Sequence, residues 1–139
     1  MKRKKIKPLE ARIAERIARS RREVYVRDDF KDLGGYDQVG RGLRRLVSRG
    51  QLIKIGYGLY ARSKISSISG KAIPRKPLPL LAVEALKRLN VESFPSRYTQ
   101  AYNAGRTNQV PTGRVVGVKG RICRRIGYDD KFVTFERTS

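Results

Sequence analysis

Gln38, Arg41, Arg44 and Arg45 stand close together in one short segment. A glutamine amide can bond adenine through two hydrogen bonds, and an arginine guanidinium can do the same to guanine. Both side chains also reach phosphate. At helical spacing Gln38, Arg41 and Arg45 share an outward face, and Arg44, Ser48 and Arg49 follow more obliquely. Further along, Lys54, Tyr57 and Arg62 can touch a phosphate backbone or a minor groove, and Arg121, Arg124 and Arg125 form a basic edge. Lys4 and Lys5 lie in a basic N-terminal arm suited to phosphates. This is the chemistry of recognition, not of bond cleavage. Any one of these residues reads as readily as a solvated surface charge; the reading rests on the group.

The absences point the same way. The 139 residues contain no histidine and one cysteine, Cys123. Ser-His-Asp and Cys-His catalysis are excluded, an internal disulfide is impossible, and a zinc site within one chain lacks ligands. Asp28, Asp29 and Asp32 cluster early, but they read as charges on one short helix rather than as metal ligands. No cofactor, no metal and no enzymatic activity are expected. The net charge of +21, from 33 basic and 12 acidic residues, attracts polyanions, of which nucleic acid is the commonest. With 39% hydrophobic residues the chain can still build a small core. No apolar run of about 18 residues exists to span a bilayer. The segment MKRKKIKPLE lacks the apolar centre of a signal peptide. A cytoplasmic protein without a membrane partner is expected.

The elements that must position these side chains lie between Val24 and Arg62. Before them, a helix from near Pro8 carries Leu9, Ile13, Ala14, Ile17 and Ala18 on one stripe and Arg12, Arg16 and Arg19 opposite. Glu23-Val24-Tyr25-Val26 is a short β-prone run. A helix of about residues 27–33 buries Phe30 and Leu33, and Gly34-Gly35 ends it. The next helix runs from about Tyr36 to Arg49, with Val39, Leu43, Leu46 and Val47 inward. Gly42 within it is a poor helix former and permits close packing. Two helices joined by a glycine turn are a helix-turn-helix, and the first half of the second helix is the part that reaches bases. Gln51 to Arg62 then reads as a hairpin turning at Gly56-Tyr57-Gly58, the wing, with Tyr60 assigned to the core.

The remainder reads as a second unit. Residues 64–79 are serine-rich and then proline-rich, the composition of a linker. Leu80 to Leu89 is predicted helical, with Leu81, Ala85, Leu86 and Leu89 inward. Ser96 caps a short helix through Tyr102, near Arg97, Tyr98 and Arg106. Residues 115–118, 122–126 and 132–135 are three short β runs. Cys123 reads as a small apolar filler. The expected class is α+β: a winged helix-turn-helix followed by a small α+β module with a three-stranded antiparallel sheet. The expected domains are residues 1–63 (winged helix-turn-helix with its basic arm), 64–79 (linker) and 80–139 (small basic α+β domain). Residues 1–73 carry 20 basic and 7 acidic residues, net +13, and the rest 13 and 5, net +8. Both halves can therefore meet nucleic acid.

The run VYVRDDFKDLGGYDQVGRGLRRLVSRGQLIKIGYGLYARS resembles the N-terminal winged helix of AbiEi-like antitoxins. The landmarks are Val26, Gln38 and Val39, Leu43 with Leu46, Gly50, and GYGLYAR at the wing. TNQVPTGRVVGVKG and RRIGY resemble the later part of small members. The resemblance implies type IV toxin–antitoxin systems, phage defence, and a winged helix that binds repeats at its own promoter and represses the operon. This chain is shorter than the bipartite antitoxins, in which a separate C-terminal domain counters the toxin.

A repressor that binds double-stranded DNA and autoregulates its operon is thus the leading expectation. One winged helix reads few base pairs, so two copies on a repeat are expected, as a homodimer or as a cooperative pair. The alternative is a non-catalytic module that binds RNA or a ribonucleoprotein. A nuclease or transferase comes third.

Overall fold

The computed structural model describes residues 7–95, 104–105, 115–119 and 125–138. Its first helix, α1 (Leu9–Arg19), follows Pro8, a residue whose missing N–H costs nothing at a helix start. Ile13 and Ile17 are its buried residues. Strand β1 (Val24–Tyr25) follows, then a single 3-10 turn at Arg27–Phe30. A longer helix was expected here. Instead Lys31 and Leu33 donate to carbonyls three residues back, Asp28 and Phe30. Asp29 Oδ2 accepts from the Val26 N–H at 3.0 Å, so the turn is closed at its start and stopped by the glycine pair soon after.

Helix α2 (Tyr36–Ser48) buries Val39, Gly40, Gly42, Leu43 and Leu46. A Cβ on Gly42 would lie 2.9 Å from Ile13 Cδ1. Glycine there lets α1 and α2 cross closely, the packing role expected of it. Gly50 follows the helix with φ +75, the left-handed geometry that glycine adopts without penalty.

The hairpin is present as β2 (Leu52–Gly56) and β3 (Leu59–Ile65). Strand β3 is central. It pairs antiparallel with β2 on one edge and with β1 on the other, with Tyr25 opposite Tyr60. Its far end pairs with β4 (Ala72–Pro74). Residues 64–79, read as a linker, therefore carry the end of β3, a turn, β4 and the start of α3 (Leu78–Arg88). The serines serve that turn: Ser66 Oγ accepts from the N–H groups of Ile68 and Ser69, each at 3.2 Å.

The sheet is apolar on both faces. Along β3, Leu59 and Ala61 join one core cluster and Tyr60 joins the other, the two-residue alternation of a strand. One cluster sets Tyr60, Tyr25 and Leu52 against α1, Phe30 and α2. The opposite cluster sets Val24, Ile55, Leu59 and Ala61 against Leu81, Ala85 and Leu86 of α3, with Ile126 and Val133. The helices and the C-terminal strands thus share one sheet between them.

A second sheet has the order β5 (Ser93–Pro95), β6 (Val115–Lys119), β9 (Thr134–Thr138). Three strands were expected, all antiparallel. The observed sheet is mixed: β5–β6 is antiparallel and β6–β9 is parallel, with Val116 opposite Phe135. The cause is the small hairpin β7 (Gly127–Tyr128) and β8 (Lys131–Phe132) between β6 and β9. It turns the chain once more, and residues 120–133 are long enough for the crossover that a parallel pair needs. The expected run 122–126 falls mostly outside the described residues, as does the expected helix from Ser96 to Tyr102.

Truncation on either face should unfold the same unit. Leu43→Ala and Leu86→Ala should each cost about 2–5 kcal/mol. Chemical denaturation followed by circular dichroism and by tyrosine fluorescence should give one coincident transition in both variants. Two separated transitions would show that the halves fold independently.

Candidate nucleic-acid interface

The outer surface of α2 is the first element of the site. Gln38, Arg41, Arg44 and Arg45 are all exposed, while Val39, Leu43 and Leu46 fix the opposite side in the core. Gln38 has a second role, since its Oε1 accepts from the Gly35 N–H at 3.3 Å. That bond satisfies one backbone donor at the helix start. Gln38, Arg41 and Arg45 border a groove of about 320 Å³ between α2 and α1, with Glu10 in its wall. Glu10 draws Arg49 to 3.3 Å, which engages that arginine toward α1.

The wing is the second element. Lys54 is exposed on β2, and Tyr57 at the turn is 81% exposed. Gly58 takes φ +69, which the tight turn requires. A Cβ on Gly56 would meet the Arg125 carbonyl oxygen at 2.8 Å, so the wing lies directly against the C-terminal segment. Lys54, Tyr57, Arg125 and Phe132 border one cleft of about 630 Å³. The Arg125 guanidinium lies 5.6 Å from the Phe132 ring centroid. The structure thereby joins Lys54 and Tyr57 to Arg125, although the sequence suggested separate modules.

Arg62 corrects an expectation. It was read as a backbone contact for nucleic acid, but its guanidinium works inside the fold. Nε donates to the Arg22 carbonyl at 2.9 Å, and Nη2 donates to the carbonyls of Ile17 and Ser20 and to Tyr25 Oη. Only 14% of its side chain is exposed. A cation at the end of α1 satisfies carbonyls that the helix leaves open and suits the helix dipole. The signal was present in the alternation: Arg62 shares a strand face with Tyr60, and that face looks toward α1. Lys4, Lys5, Arg121 and Arg124 lie outside the described residues, as do Cys123, Arg97, Tyr98 and Arg106.

Two members of the early acidic cluster, Asp29 and Asp32, are engaged by arginines. Asp29 meets Arg88 of α3 in an ion pair and lies 3.5 Å from Arg22. Asp32 accepts two bonds from Arg16, at 2.6 and 2.7 Å. The Arg16 bonds hold the Asp32 carboxyl at about 2, below its ordinary 3.8. Among the described residues no three His, Cys, Asp or Glu side chains converge where a metal ion could sit. No helix among them is long and apolar enough to cross a membrane.

A family model matches residues 12–139, described as a family of unknown function, DUF6088. The chain belongs to this family. No curated protein and no solved structure gives a significant match. The matched span includes residues 64–79.

Arg62→Ala should leave the Ser20 carbonyl without its guanidinium donor, while the Ile17 and Arg22 carbonyls keep the Ser20 N–H and the Tyr25 hydroxyl. It should lower stability by about 1–3 kcal/mol, measured by urea denaturation. Arg41→Ala at the exposed face should leave the midpoint nearly unchanged.

Asp32 sets a pH dependence. Its carboxyl is depressed in the fold, so the stability it contributes is complete above its ordinary value of 3.8 and disappears as pH falls toward about 2. The stability gap between the wild type and Asp32→Asn should be constant near neutrality. It should close across that acid window, and added salt should narrow it because the pair is solvent-exposed.

Proposed function

We propose that this protein is a sequence-specific repressor that binds double-stranded DNA and acts on its own operon in the manner of AbiEi-like antitoxins. The observation that carries the reading is the exposed row Gln38, Arg41, Arg44 and Arg45 on α2, beside a wing whose tip carries an exposed tyrosine. Helix α2 would lie in the major groove, with its first half at base edges and its arginines at guanine or phosphate. Lys54 and Tyr57 would hold the adjacent backbone, and the net charge of +21 would speed the encounter. Two copies would occupy a repeat, as a homodimer or as a cooperative pair, because one helix reads too few base pairs to select a promoter. Arg62 is left out of the contact set, since its hydrogen bonds are already committed. The work proposed is binding, not catalysis.

A second reading, RNA binding, draws support from one feature. Tyr57 and Phe132 are exposed aromatics, 81% and 41%, bordering a cleft with Lys54 and Arg125. Aromatic faces flanked by cations stack unpaired bases irrespective of sequence.

Titration against the upstream region of the protein's own gene, at several salt concentrations, separates these readings. A repressor should bind that region well above a scrambled duplex, and structured RNA should compete poorly. Arg41→Ala should cost about 1–3 kcal/mol on the preferred site and relax discrimination. Lys54→Ala should weaken every duplex alike and reduce the salt slope by about one unit. Affinity that ignores sequence throughout would remove the repressor reading. Preference for structured RNA would replace it with the second.

A further inference from the structure

Arg27 stands at the start of the 3-10 turn, a position that no spacing pattern in the sequence marks. Its guanidinium carbon lies 4.2 Å from the centroid of the Tyr36 ring, at the first residue of α2. A guanidinium over an aromatic face is held by the ring quadrupole and by stacking. Gly40, one helical turn on from Tyr36, supplies the other wall. A Cβ placed there would lie 2.8 Å from Arg27 Cζ and 3.0 Å from Nη2. Gly40 is therefore a seat for this side chain, and the guanidinium lies flat on the surface of α2. Its Nε is buried without a hydrogen-bond partner, so the Tyr36 ring and the Gly40 surface are what hold the guanidinium in place. Arg16, Arg22, Arg62 and Arg88, by contrast, each meet an acidic side chain.

The location gives the residue a task. Arg27 and Tyr36 border a cleft of about 240 Å³ whose far wall is Tyr57, Gly58 and Leu59 of the wing. The cleft thus opens between the start of α2 and the wing turn. With α2 in a groove and the wing beside it, one strand of the duplex must pass through this gap. We propose that Arg27 is a phosphate-binding residue that anchors the nucleic-acid backbone in the cleft between α2 and the wing, held ready by Tyr36 and Gly40. The inference rests on the duplex-binding reading above and adds a contact that reading lacks. A guanidinium fork fits phosphate geometry, and ordering it in advance removes part of the entropy lost on binding. Asp28 borders the same cleft but is exposed, so solvent and salt screen its effect on an incoming anion.

The test uses full-length protein and two labelled duplexes, one of random sequence and one from the upstream region, titrated over a range of salt. Arg27→Ala should lower the salt slope by about one unit on both duplexes. Gly40→Ala puts a methyl group where the guanidinium lies and improves helix propensity. It should therefore reproduce the binding loss without lowering the denaturation midpoint. The double variant should bind no more weakly than Arg27→Ala alone, because both changes remove one contact. Should Gly40→Ala lower stability, Arg27→Ala alone carries the decision. If the wild type binds and Arg27→Ala keeps the full slope, the phosphate anchor is overturned and the duplex-binding reading stands. A loss confined to the upstream duplex would also overturn it, because a base contact would then be at work. If the wild type shows no salt-dependent binding to either duplex, the duplex-binding reading itself falls.

Discussion

Strand β3 is apolar on both sides, and the rest of the molecule follows from that constraint. A strand directs successive side chains to opposite faces. Leu59 and Ala61 therefore seek one apolar layer, and Tyr60 seeks another. Helices α1 and α2 supply the layer over Tyr60, Tyr25 and Leu52. Helix α3 with Ile126 and Val133 supplies the layer over Leu59, Ala61 and Ile55. Removing either layer would expose a sheet face to water. This is why the winged-helix portion and the later residues form a shared core, and why β4 sits within the segment that might have tethered two separate domains. It also fixes which side of α2 faces solvent. With Val39, Leu43 and Leu46 held against the sheet, the arginines of α2 can only point to solvent.

The basic residues divide into two populations with different physics. Arg16, Arg22, Arg62 and Arg88 meet carboxylates or backbone carbonyls. They join α1, the 3-10 turn, β3 and α3. Arg41, Arg44 and Arg45 stand exposed on α2. Asp29, Asp32, Glu10 and Glu23 are drawn into the internal pairs. Glu10, Glu23 and Asp29, whose side chains are only 12–15% exposed, are engaged by arginines, while Arg41, Arg44 and Arg45 stay exposed. Each ion pair removes one basic and one acidic charge, so the net charge of +21 is unchanged by them, and part of that surplus stands on the face of α2 that the core turns outward. Electrostatic steering depends on that displayed charge rather than on the sum.

The proposed contact surface is composite. The groove beside α2 is walled by α1, the wing meets the C-terminal segment through Gly56 and Arg125, and Arg27 lies between α2 and the wing. Three stretches remote in sequence converge around one hairpin.

The sequence by itself determined the elements of residues 8–62, except that a 3-10 turn at Arg27–Phe30 stands where a helix over 27–33 was expected. Periods of 3.6 and 2 placed α1, α2 and the β2–β3 hairpin, glycines marked the turns, and the inward set Val39, Leu43 and Leu46 was legible because burial repeats with the backbone period. The exposure of Gln38, Arg41, Arg44 and Arg45 followed as the complement of that set. Tertiary structure alone decided the rest. Arg62 turned inward because α1 ends above its strand face, and no local pattern records which helix terminus lies there. The 64–79 segment became part of the sheet because β3 extends past the wing and offers an unpaired edge, which composition does not reveal. The direction of β9 depended on one additional hairpin between distant strands. Arg27 found its seat because Tyr36 and Gly40 are neighbours on a helix surface, and a contact between a turn and the following helix is a fact of packing, not of spacing. Local periodicity is written into each segment, whereas the choice of partner for a polar side chain is settled only when the segments meet.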